Sequence, residues 1–234
     1  MLSIVGLFKK YQNKPILKNL NTSFDEQGVS IIVGMNGSGK TTLLNCITGL
    51  IRFDSGQVMM GEHCNDSIEF KEQLFYLPSD FYLPEYLTGN EYAKFIFTRF
   101  KNSDLSKFDV ITKMLDLNEF LDVTLEAYSF GMKKKIQIAI ALSVNVKYLI
   151  GDEIFSGLDF ETTLLVQELI KQTAKTKKII IVSHDSSTLD FYPDDLRILQ
   201  HGVLSKYTGS AKELINEFRD KEGFRDKLNQ LAKY

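Results

Sequence analysis

A strand-like run followed at once by a glycine-rich loop is the feature that most constrains the fold of this chain. Residues 29–33 (VSIIV) are rich in β-branched side chains and predict a buried strand, and residues 40–50 predict a helix that Gly49 closes. The loop between them, residues 34–41, reads GMNGSGKT and fits the pattern G-x4-G-K-[ST]. A strand, such a loop and a helix in this order predict an α/β fold with a phosphate-binding loop.

The chemistry of this loop points to phosphate binding. Glycines let the backbone wrap tightly, so that successive N–H groups point at phosphate oxygens, and the following helix adds the positive end of its dipole. The Lys40 ammonium group is expected to reach the β- and γ-phosphates of a nucleotide, and the Thr41 hydroxyl is expected to bind Mg²⁺. The predicted phosphate-binding residues are Gly34, Met35, Asn36, Gly37, Ser38, Gly39, Lys40, Thr41 and Thr42.

Charge and hydropathy exclude two other classes of protein. The chain carries 28 basic and 30 acidic residues, so it lacks the strongly basic character of nucleic-acid-binding proteins, and we expect no nucleic acid partner. The longest uncharged apolar stretch, residues 136–146, is much shorter than the ~20 residues of a membrane span. Cys46 and Cys64 have no metal-binding spacing, which fits a protein of the reducing cytosol.

The order of the predicted elements indicates one domain with an insertion. The predicted strands cover residues 3–8, 20–24, 29–33, 57–60, 148–150, 179–182, 197–199 and 203–207. The predicted helices cover residues 40–50, 91–100, 107–115, 132–144, 162–174, 211–221 and 225–233. This pattern predicts a single α/β domain over residues 1–234, with a core at residues 1–79 and 146–234 and a helical subdomain at about residues 80–145.

A second group of reactive side chains follows the predicted strand at residues 148–150. Asp152 and Glu153 come at its carboxyl end, which is where α/β sheets bind ligands. Asp152 is therefore expected to hold Mg²⁺, and Glu153 is expected to polarise a water that attacks the phosphate. His184 leaves the strand at residues 179–182 at the same edge of the sheet, so its ring is expected to reach a γ-phosphate.

Together these motifs resemble the nucleotide-binding domain of ABC transporters. In chain order they are the phosphate-binding loop, residues 129–133 (SFGMK), Asp152-Glu153, residues 156–159 (SGLD) and His184. The resemblance implies a P-loop NTPase core, which is a RecA-like mixed sheet with flanking helices, together with an antiparallel β subdomain and an inserted α-helical subdomain. It also implies that ATP and Mg²⁺ are bound, that Glu153 is the catalytic base of ATP hydrolysis and that His184 is the switch histidine.

The resemblance assigns roles to residues outside these two groups. It implies that Tyr11 stacks on adenine. The alternative is that Tyr11 is a surface residue in a turn, in which case Phe8 is the substitute for the stacking role. Ser129 and Gly131 correspond to the signature loop, which contacts the ATP held by the opposite subunit, and Asp159 belongs to a loop that crosses to that site. Two copies in a homodimer, or one copy and a similar ATP-binding subunit in a heterodimer, are thus expected to enclose two ATP molecules.

Three positions depart from the family pattern, of which Ile154, in place of the proline after the catalytic glutamate, is expected to change little. Phe130 stands where the signature loop of the family has glycine, but Ser129 and Gly131 are kept, so we expect function to survive. Ser79, in a predicted loop at residues 76–79 (YLPS), stands where the family has a glutamine that bridges Mg²⁺ and the transmembrane partner. Its shorter side chain is expected to reach the metal only through a water, which alters coupling or turnover.

The region between residues 75 and 100 is rich in aromatic side chains. In the family this region lines a groove that accepts a short helix of the transmembrane subunit, and aromatic rings bring large contact area at low entropic cost. Phe81, Tyr82 and Tyr86 are the candidates for that groove, whereas packing inside the helical subdomain is the alternative for each ring.

These observations predict the ATP-hydrolysing subunit of an ABC transporter. The expected partner is a separate transmembrane permease subunit, and the expected location is cytoplasmic, peripheral on the inner face of the cell membrane. Two alternatives stay open: a soluble ABC-type ATPase without a membrane partner, and a weakly hydrolysing regulatory subunit, which Ser79 and Phe130 suggest. Only about 30 residues follow the last predicted strand, too few for the regulatory domain of many importers, and this favours export.

Overall fold

Two sheets and a set of helices form the described part of the chain, residues 1–79 and 83–219, in this computed structural model. Its strands are β1 (Leu2–Tyr11), β2 (Lys14–Phe24), β3 (Gly28–Val33), β4 (Ser55–Met60), β5 (His63–Cys64), β6 (Leu74–Leu77), β7 (Tyr148–Asp152), β8 (Lys178–Val182), β9 (Leu196–Gln200) and β10 (Val203–Lys206). Its α-helices are α1 (Lys40–Ile47), α2 (Ile68–Lys71), α3 (Gly89–Arg99), α4 (Leu105–Met114), α5 (Phe130–Ser143), α6 (Phe160–Thr173), α7 (Ser186–Phe191) and α8 (Ala211–Arg219). Within these ranges, no helix combines the length and apolar character that a bilayer span requires.

The larger sheet contains the strands that precede the predicted reactive groups. Its strand order is β10-β9-β3-β8-β7-β6, and its pairs are parallel except for the antiparallel β9–β10 hairpin. Strands β7 and β8 are buried along their whole length, as is typical of parallel strands that are covered on both faces. Because β3, β7 and β8 run in the same direction, the residues that follow them meet at one edge of the sheet.

The smaller sheet is antiparallel, with the strand order β2-β1-β4-β5. Its apolar side chains pack in one buried cluster with helix α1 and with one face of the larger sheet. Members of that cluster include Leu2, Ile4, Leu7, Leu17, Leu43, Leu44, Ile32, Ile150 and Ile180. The mixed sheet and this second, antiparallel sheet match the predicted fold class.

Between β6 and β7 the described residues form helices and no strand. Helix α5 is buried from Ile136 to its end, and Phe108 of α4 and Tyr128 pack in the same cluster. Polar caps explain where these helices begin, because Thr88 and Asp104 accept hydrogen bonds from the first turns of α3 and α4. The division of the chain into a core and a helical subdomain, with boundaries near residues 80 and 145, stays a prediction.

The structure corrects the sequence-based interpretation of residues 76–79 as a loop. Tyr76 and Leu77 belong to β6, because Leu74–Leu77 pairs in parallel with β7 at the edge of the larger sheet. Pro78 follows directly and has no N–H group to continue the pairing. Because Leu77 pairs with Gly151, Ser79 leaves the sheet beside the end of β7.

Several predicted helix boundaries also change. Helix α1 ends at Ile47, short of residue 50, because Gly49 adopts a left-handed φ of +74°. Helices α2 and α7 are additions to the predicted set. The predicted helix at residues 211–221 begins at Ala211 as expected and is described as far as Arg219. The predicted helix at residues 225–233 and the groove candidates Phe81 and Tyr82 lie outside the described residues.

Candidate active site

A cleft of about 460 Å³ opens where β3, β7 and β8 end. It is lined by the phosphate-binding loop and the start of α1, by the last residue of β7, by residues that follow β6, β7 and β8, and by one side chain of β2. The lining residues are Ile16, Asn36, Gly37, Gly39, Lys40, Thr41, Thr42, Ser79, Asp152, Glu153 and His184. The fold thus brings together most of the predicted site residues, although they are far apart in the sequence.

The phosphate-binding loop wraps tightly because its glycines adopt conformations that other residues avoid. Gly37 and Gly39 have φ values of +78° and +100°, and a Cβ atom at Gly39 would lie 2.7 Å from the Ile16 side chain. Helix α1 begins at Lys40, directly after the loop, and no side chain of the described residues caps its N-terminus. Its first N–H groups are therefore left for an anion, as in other phosphate sites at helix N-termini.

The Lys40 side chain folds back over this loop. Its Nζ donates to the carbonyl oxygens of Gly34, at 2.7 Å, and Met35, at 3.2 Å. Burial lowers the pKa of Lys40, and the nearby carboxylates of Glu153 and Asp152 oppose that effect. Neutral carbonyls are weaker partners for an ammonium group than phosphate oxygens, so a bound phosphate would take over these hydrogen bonds.

Thr41 and Asp152 bring two oxygen ligands together in the cleft. The Thr41 hydroxyl donates to the Asp152 carboxylate at 2.8 Å. Asp152 is the last residue of β7 and is buried. A hydroxyl and a carboxylate are the hard oxygen ligands that Mg²⁺ prefers, and this ion usually binds one or two protein oxygens together with substrate phosphates. The two side chains therefore fit a Mg²⁺ ion beside the phosphate-binding loop.

Glu153 and His184 form a hydrogen-bonded pair in the same cleft, with His184 Nδ1 lying 2.7 Å from Glu153 Oε1. Glu153 has a φ of +50°, which is rare for a residue with a side chain, and its N–H donates to the Val182 carbonyl at 3.0 Å. Backbone strain of this kind persists only where the surroundings hold the residue in place, and it is concentrated at functional sites. The pair therefore presents an oriented carboxylate to the cleft.

Ser79 lines the cleft, as the resemblance implies, whereas Gly34, Met35 and Ser38 of the phosphate-binding loop do not. Gly34 lies against β9, where a Cβ atom would come within 2.6 Å of the Leu199 carbonyl oxygen. Met35 is exposed. The hydroxyl oxygen of Ser38 is buried and has no hydrogen-bond partner within the described part of the chain, which leaves one more unused polar group at the loop.

Tyr11 does not line the cleft. It lies in the β1–β2 hairpin, half exposed, with the Lys9 ammonium group 5.1 Å from the centre of its ring. Ile16 of β2 supplies the apolar wall instead; it lies outside the predicted strand at residues 20–24, because β2 begins earlier, at Lys14. The short apolar run at residues 15–17 is the signal that could have found it. The stacking of Tyr11 on adenine stays a prediction.

The signature residues and Asp159 lie outside this cleft, and Ser129 and Asp159 cap helices. The Ser129 hydroxyl accepts a hydrogen bond from the Met132 N–H at 3.2 Å at the start of α5. Asp159 caps α6, accepting from the Thr162 N–H at 2.8 Å and the Thr162 hydroxyl at 2.7 Å. These hydrogen bonds lower the pKa of Asp159. Gly131 is the second residue of α5. Their predicted contacts with an ATP held by another subunit stay predictions.

Comparison with known proteins decides the family of this fold and cleft. The family model described as "ABC transporter" matches residues 17–156 of the chain. The chain belongs to the ABC transporter family. The matched range includes the phosphate-binding loop, the signature residues, both carboxylates and Ser156, whereas residues 157–159 and His184 lie beyond it.

Individual relatives agree with this assignment. The energy-coupling factor transporter ATP-binding protein EcfA of Onion yellows phytoplasma is 32% identical over 222 residues, which are 89% of this chain and 79% of the relative. A solved ATP-binding subunit of an ABC transporter superposes with a TM-score of 0.81 at 24% identity, with both chains covered completely. A dimeric ATP-binding cassette in a post-hydrolysis state, bound to ADP and Pi, superposes with a TM-score of 0.77 at 24% identity over 89% of this chain and all of that one.

These comparisons confirm the predicted fold class, because the solved relatives have the same fold as this chain. They also confirm, at the level of the family, the prediction of an ATP-binding and ATP-hydrolysing ABC subunit. The roles of the individual side chains, the metal and the direction of transport stay predictions.

Proposed function

We propose that this ABC domain hydrolyses Mg²⁺-ATP and uses the reaction to move a separate transmembrane permease. One observation carries the proposal: a single cleft contains a phosphate-binding loop with its lysine, a hydroxyl–carboxylate pair and a glutamate–histidine pair. Phosphoryl transfer to water requires groups that bind the phosphates, a metal ion and a residue that orients the attacking water. The three parts of the cleft supply these groups.

In the proposed reaction, each side chain of the cleft has a separate task. Lys40 exchanges its loop carbonyls for the β- and γ-phosphates and offsets their charge. Glu153 accepts the proton of the attacking water, and His184 orients the Glu153 carboxylate and contacts the γ-phosphate. Catalysis of this kind depends mainly on positioning and on charges that are in place before the reaction begins.

Thr41 and Asp152 are the proposed ligands of Mg²⁺, with Ser79 reaching the ion through a water. When bound, the ion neutralises negative charge on the phosphate oxygens. The hydrogen bond between Thr41 and Asp152 supports this assignment, because it holds two oxygen ligands together before any ion arrives.

We further propose that the active form contains two ABC domains, either two copies of this chain or one copy and a similar subunit. Ser129, Gly131 and Asp159 lie outside the cleft of their own chain, as expected for residues that complete the ATP site of another subunit. The dimeric cassette among the solved relatives supports the same arrangement.

A membrane partner is proposed from the family and from one exposed aromatic side chain. Tyr86, which follows β6 and precedes α3, is 79% exposed and is the groove candidate within the described residues. Large exposed rings are typical anchors of protein interfaces. The domain would then lie on the inner face of the cell membrane, bound to the permease.

A weakly hydrolysing regulatory subunit is the second candidate function. Ser79 favours it, because this short side chain lines the cleft at the position where the family has glutamine. A variant with Ser79→Gln distinguishes the two functions: a large gain in steady-state ATPase rate supports the regulatory subunit, and an unchanged rate supports the transport ATPase.

An ATPase assay on the purified full chain tests the main proposal. Lys40→Ala is expected to weaken ATP binding at least tenfold, since charge-assisted hydrogen bonds contribute about 1.5–3 kcal/mol each. Glu153→Gln is expected to keep ATP binding but to lower kcat by a factor of about 100 or more. Glu62→Gln, the same change at an exposed turn, is the control. A Glu153→Gln variant that hydrolyses ATP at the wild-type rate would show that Glu153 is not the base.

A further inference from the structure

The first residue of α5 touches the loop that begins with Glu153. The ring of Phe130 packs so closely against Gly157 that a Cβ atom at Gly157 would collide with it. A Cβ atom at Gly131 would likewise lie only 3.3 Å from the Gly157 carbonyl oxygen. The N-terminus of α5 and this loop therefore meet at backbone distance, and the Phe130 ring covers the glycine.

The loop from Glu153 to Asp159 is anchored on both sides of Gly157. After this glycine, the Leu158 N–H donates to the Phe155 carbonyl at 3.2 Å and Asp159 caps α6. Ile154 and Phe155 are buried in the core, and the Ser156 N–H donates to the Glu153 carbonyl at 3.1 Å. Gly157, by contrast, is exposed and has a left-handed φ of +80°. The Phe130 ring is a large side chain that contacts the loop at this glycine.

We propose that Phe130 is a positioning residue for Glu153. Its ring fixes Gly157, and Gly157 ends the turn that holds Glu153 in its strained conformation. The contact joins the start of α5, where Ser129 lies, to the catalytic loop of the same chain. Because the family pattern has glycine at position 130, this restraint is a feature of this chain. The inference rests on the proposed function, since it acts through Glu153.

The expected loss of kcat on removal of the Phe130 ring follows from the exposure of the ring and from how accurately Glu153 must be positioned. Phe130 is 55% exposed, so its removal leaves no buried cavity and the fold is expected to survive. A carboxylate at a strained φ of +50° depends on its surroundings, and the loss of one restraint lets it leave the productive position for part of the time. Displacements of about 1 Å can lower rates up to ~100-fold, so a partial loosening is expected to lower kcat roughly 3- to 10-fold.

ATPase measurements on the full chain test this role with a matched pair of substitutions. Phe130→Ala is expected to lower kcat roughly 3- to 10-fold and to leave the KM for ATP within about twofold, because the phosphate-binding loop is untouched. Phe130→Tyr keeps the ring and is expected to retain the wild-type kcat. Phe160→Ala is the control, because Phe160 is also the first residue of a helix, follows a capping residue and is 80% exposed. Its kcat is expected to match the wild type.

Gly157→Ala tests the same contact from the other side. In a chain that keeps Phe130, the new methyl group meets the Phe130 ring, whereas in a Phe130→Ala background it does not. The loss of kcat caused by Gly157→Ala is therefore expected to be larger when Phe130 is present. Equal losses in the two backgrounds, an unchanged kcat in Phe130→Ala or an equal loss in Phe160→Ala would overturn the inference. If the wild-type chain itself hydrolyses no ATP, the proposed function fails instead.

Discussion

At the scale of single residues, Gly39 shows how steric crowding and backbone conformation together require glycine at one position. Its φ of +100° lies in a region that residues with side chains rarely adopt. A Cβ atom at this position would also lie 2.7 Å from the Ile16 side chain. Gly61 provides a comparison, because its φ of +63° is left-handed as well but nothing lies within 4 Å of the position of a Cβ atom. The two glycines therefore separate the effect of backbone strain from that of collision.

Gly39→Ala is expected to reduce ATP affinity at least tenfold, because the methyl group pushes Ile16 and the phosphate-binding loop apart. Gly61→Ala carries only the backbone strain, of about 1–2 kcal/mol, and is expected to leave ATP affinity unchanged. Titration of each full-length variant with ATP, together with a thermal melt, measures both effects. Equal ATP affinities of the two variants would contradict the steric explanation.

The residue scale also shows what the sequence could predict about the site. Lys40, Thr41 and Asp152 were predictable because their chemistry is tied to local patterns, namely a loop between a strand and a helix, and carboxylates after a strand. The assignment of the apolar wall to Ile16 was not predictable, because it depends on how the β1–β2 hairpin lies over the loop. The same dependence leaves Tyr11 outside the cleft.

At the scale of elements, a buried ionic cluster joins β9 to its neighbours at the end of the sheet away from the cleft. The Asp195 carboxylate accepts hydrogen bonds from Arg197 Nε and Nη2, both at 3.0 Å, from Lys178 Nζ at 3.3 Å and from the Ser30 hydroxyl. Arg197 also donates to the Ser23 carbonyl at 2.8 Å, which links the larger sheet to β2 of the smaller one.

This cluster gives the fold a defined response to acid. Burial alone would raise the pKa of Asp195, but hydrogen bonds from Arg197 and Ser30 and the charges of Arg197 and Lys178 outweigh it and lower the pKa to about 2. Because the pKa is lowered in the folded state, the stabilisation is complete above the unfolded value of about 3.9 and is lost as the pH falls to about 2. We expect the free energy of unfolding to decrease by about 2 kcal/mol over this interval through Asp195.

Asp195→Asn tests the cluster directly. The substitution leaves the Lys178 and Arg197 cations buried without their carboxylate, so a loss of about 3 kcal/mol or more is expected, together with a smaller dependence of stability on pH below 4. Asp194→Asn makes the same change at the exposed neighbouring residue and is expected to alter stability by about 0.5 kcal/mol or less. Urea unfolding at pH 7 and pH 3 measures both variants, and a similar loss in both would rule out the cluster as the cause.

Elements with strong local signals were predictable, whereas those defined by their partners were not. Strands β3, β7 and β8 are apolar runs with abrupt ends, and helix α5 has the length and composition of a buried helix. Strand β6 contains only four residues and exists because it pairs with β7, so its sequence LFYL next to Pro78 could equally have been a loop. Helix α7 depends on the cap that Asp185 provides to Ser187 and Thr188.

At the scale of the whole molecule, the location of the signature residues makes a prediction about assembly. If Ser129 and Gly131 contact an ATP held by another copy, then ATP that is bound but not hydrolysed should hold two copies together. Size-exclusion chromatography of Glu153→Gln with Mg²⁺-ATP is therefore expected to show twice the mass of the monomer, and Mg²⁺-ADP is expected to leave a monomer. The double variant Lys40→Ala/Glu153→Gln is the control, because the loss of Lys40 is expected to weaken its ATP binding at least tenfold. A monomer of Glu153→Gln under saturating ATP would contradict the homodimer and favour a heterodimer with a similar subunit.

The two edges of the larger sheet predict where the membrane partner binds. Ser79 and Tyr86 follow β6 at one edge, whereas Val203 lies in β10 at the opposite edge. Because Ser79 lines the cleft and the exposed Tyr86 follows it in the chain, we expect the permease to bind on this side. Affinity purification of the tagged full chain from detergent-solubilised membranes is expected to recover a protein with several membrane spans. Tyr86→Ala should reduce that recovery severalfold, whereas Val203→Ala, which also shortens an exposed apolar side chain, should not. Recovery of soluble proteins alone would favour an ABC ATPase that works without a membrane partner, because a bound permease would remain with the chain through mild extraction.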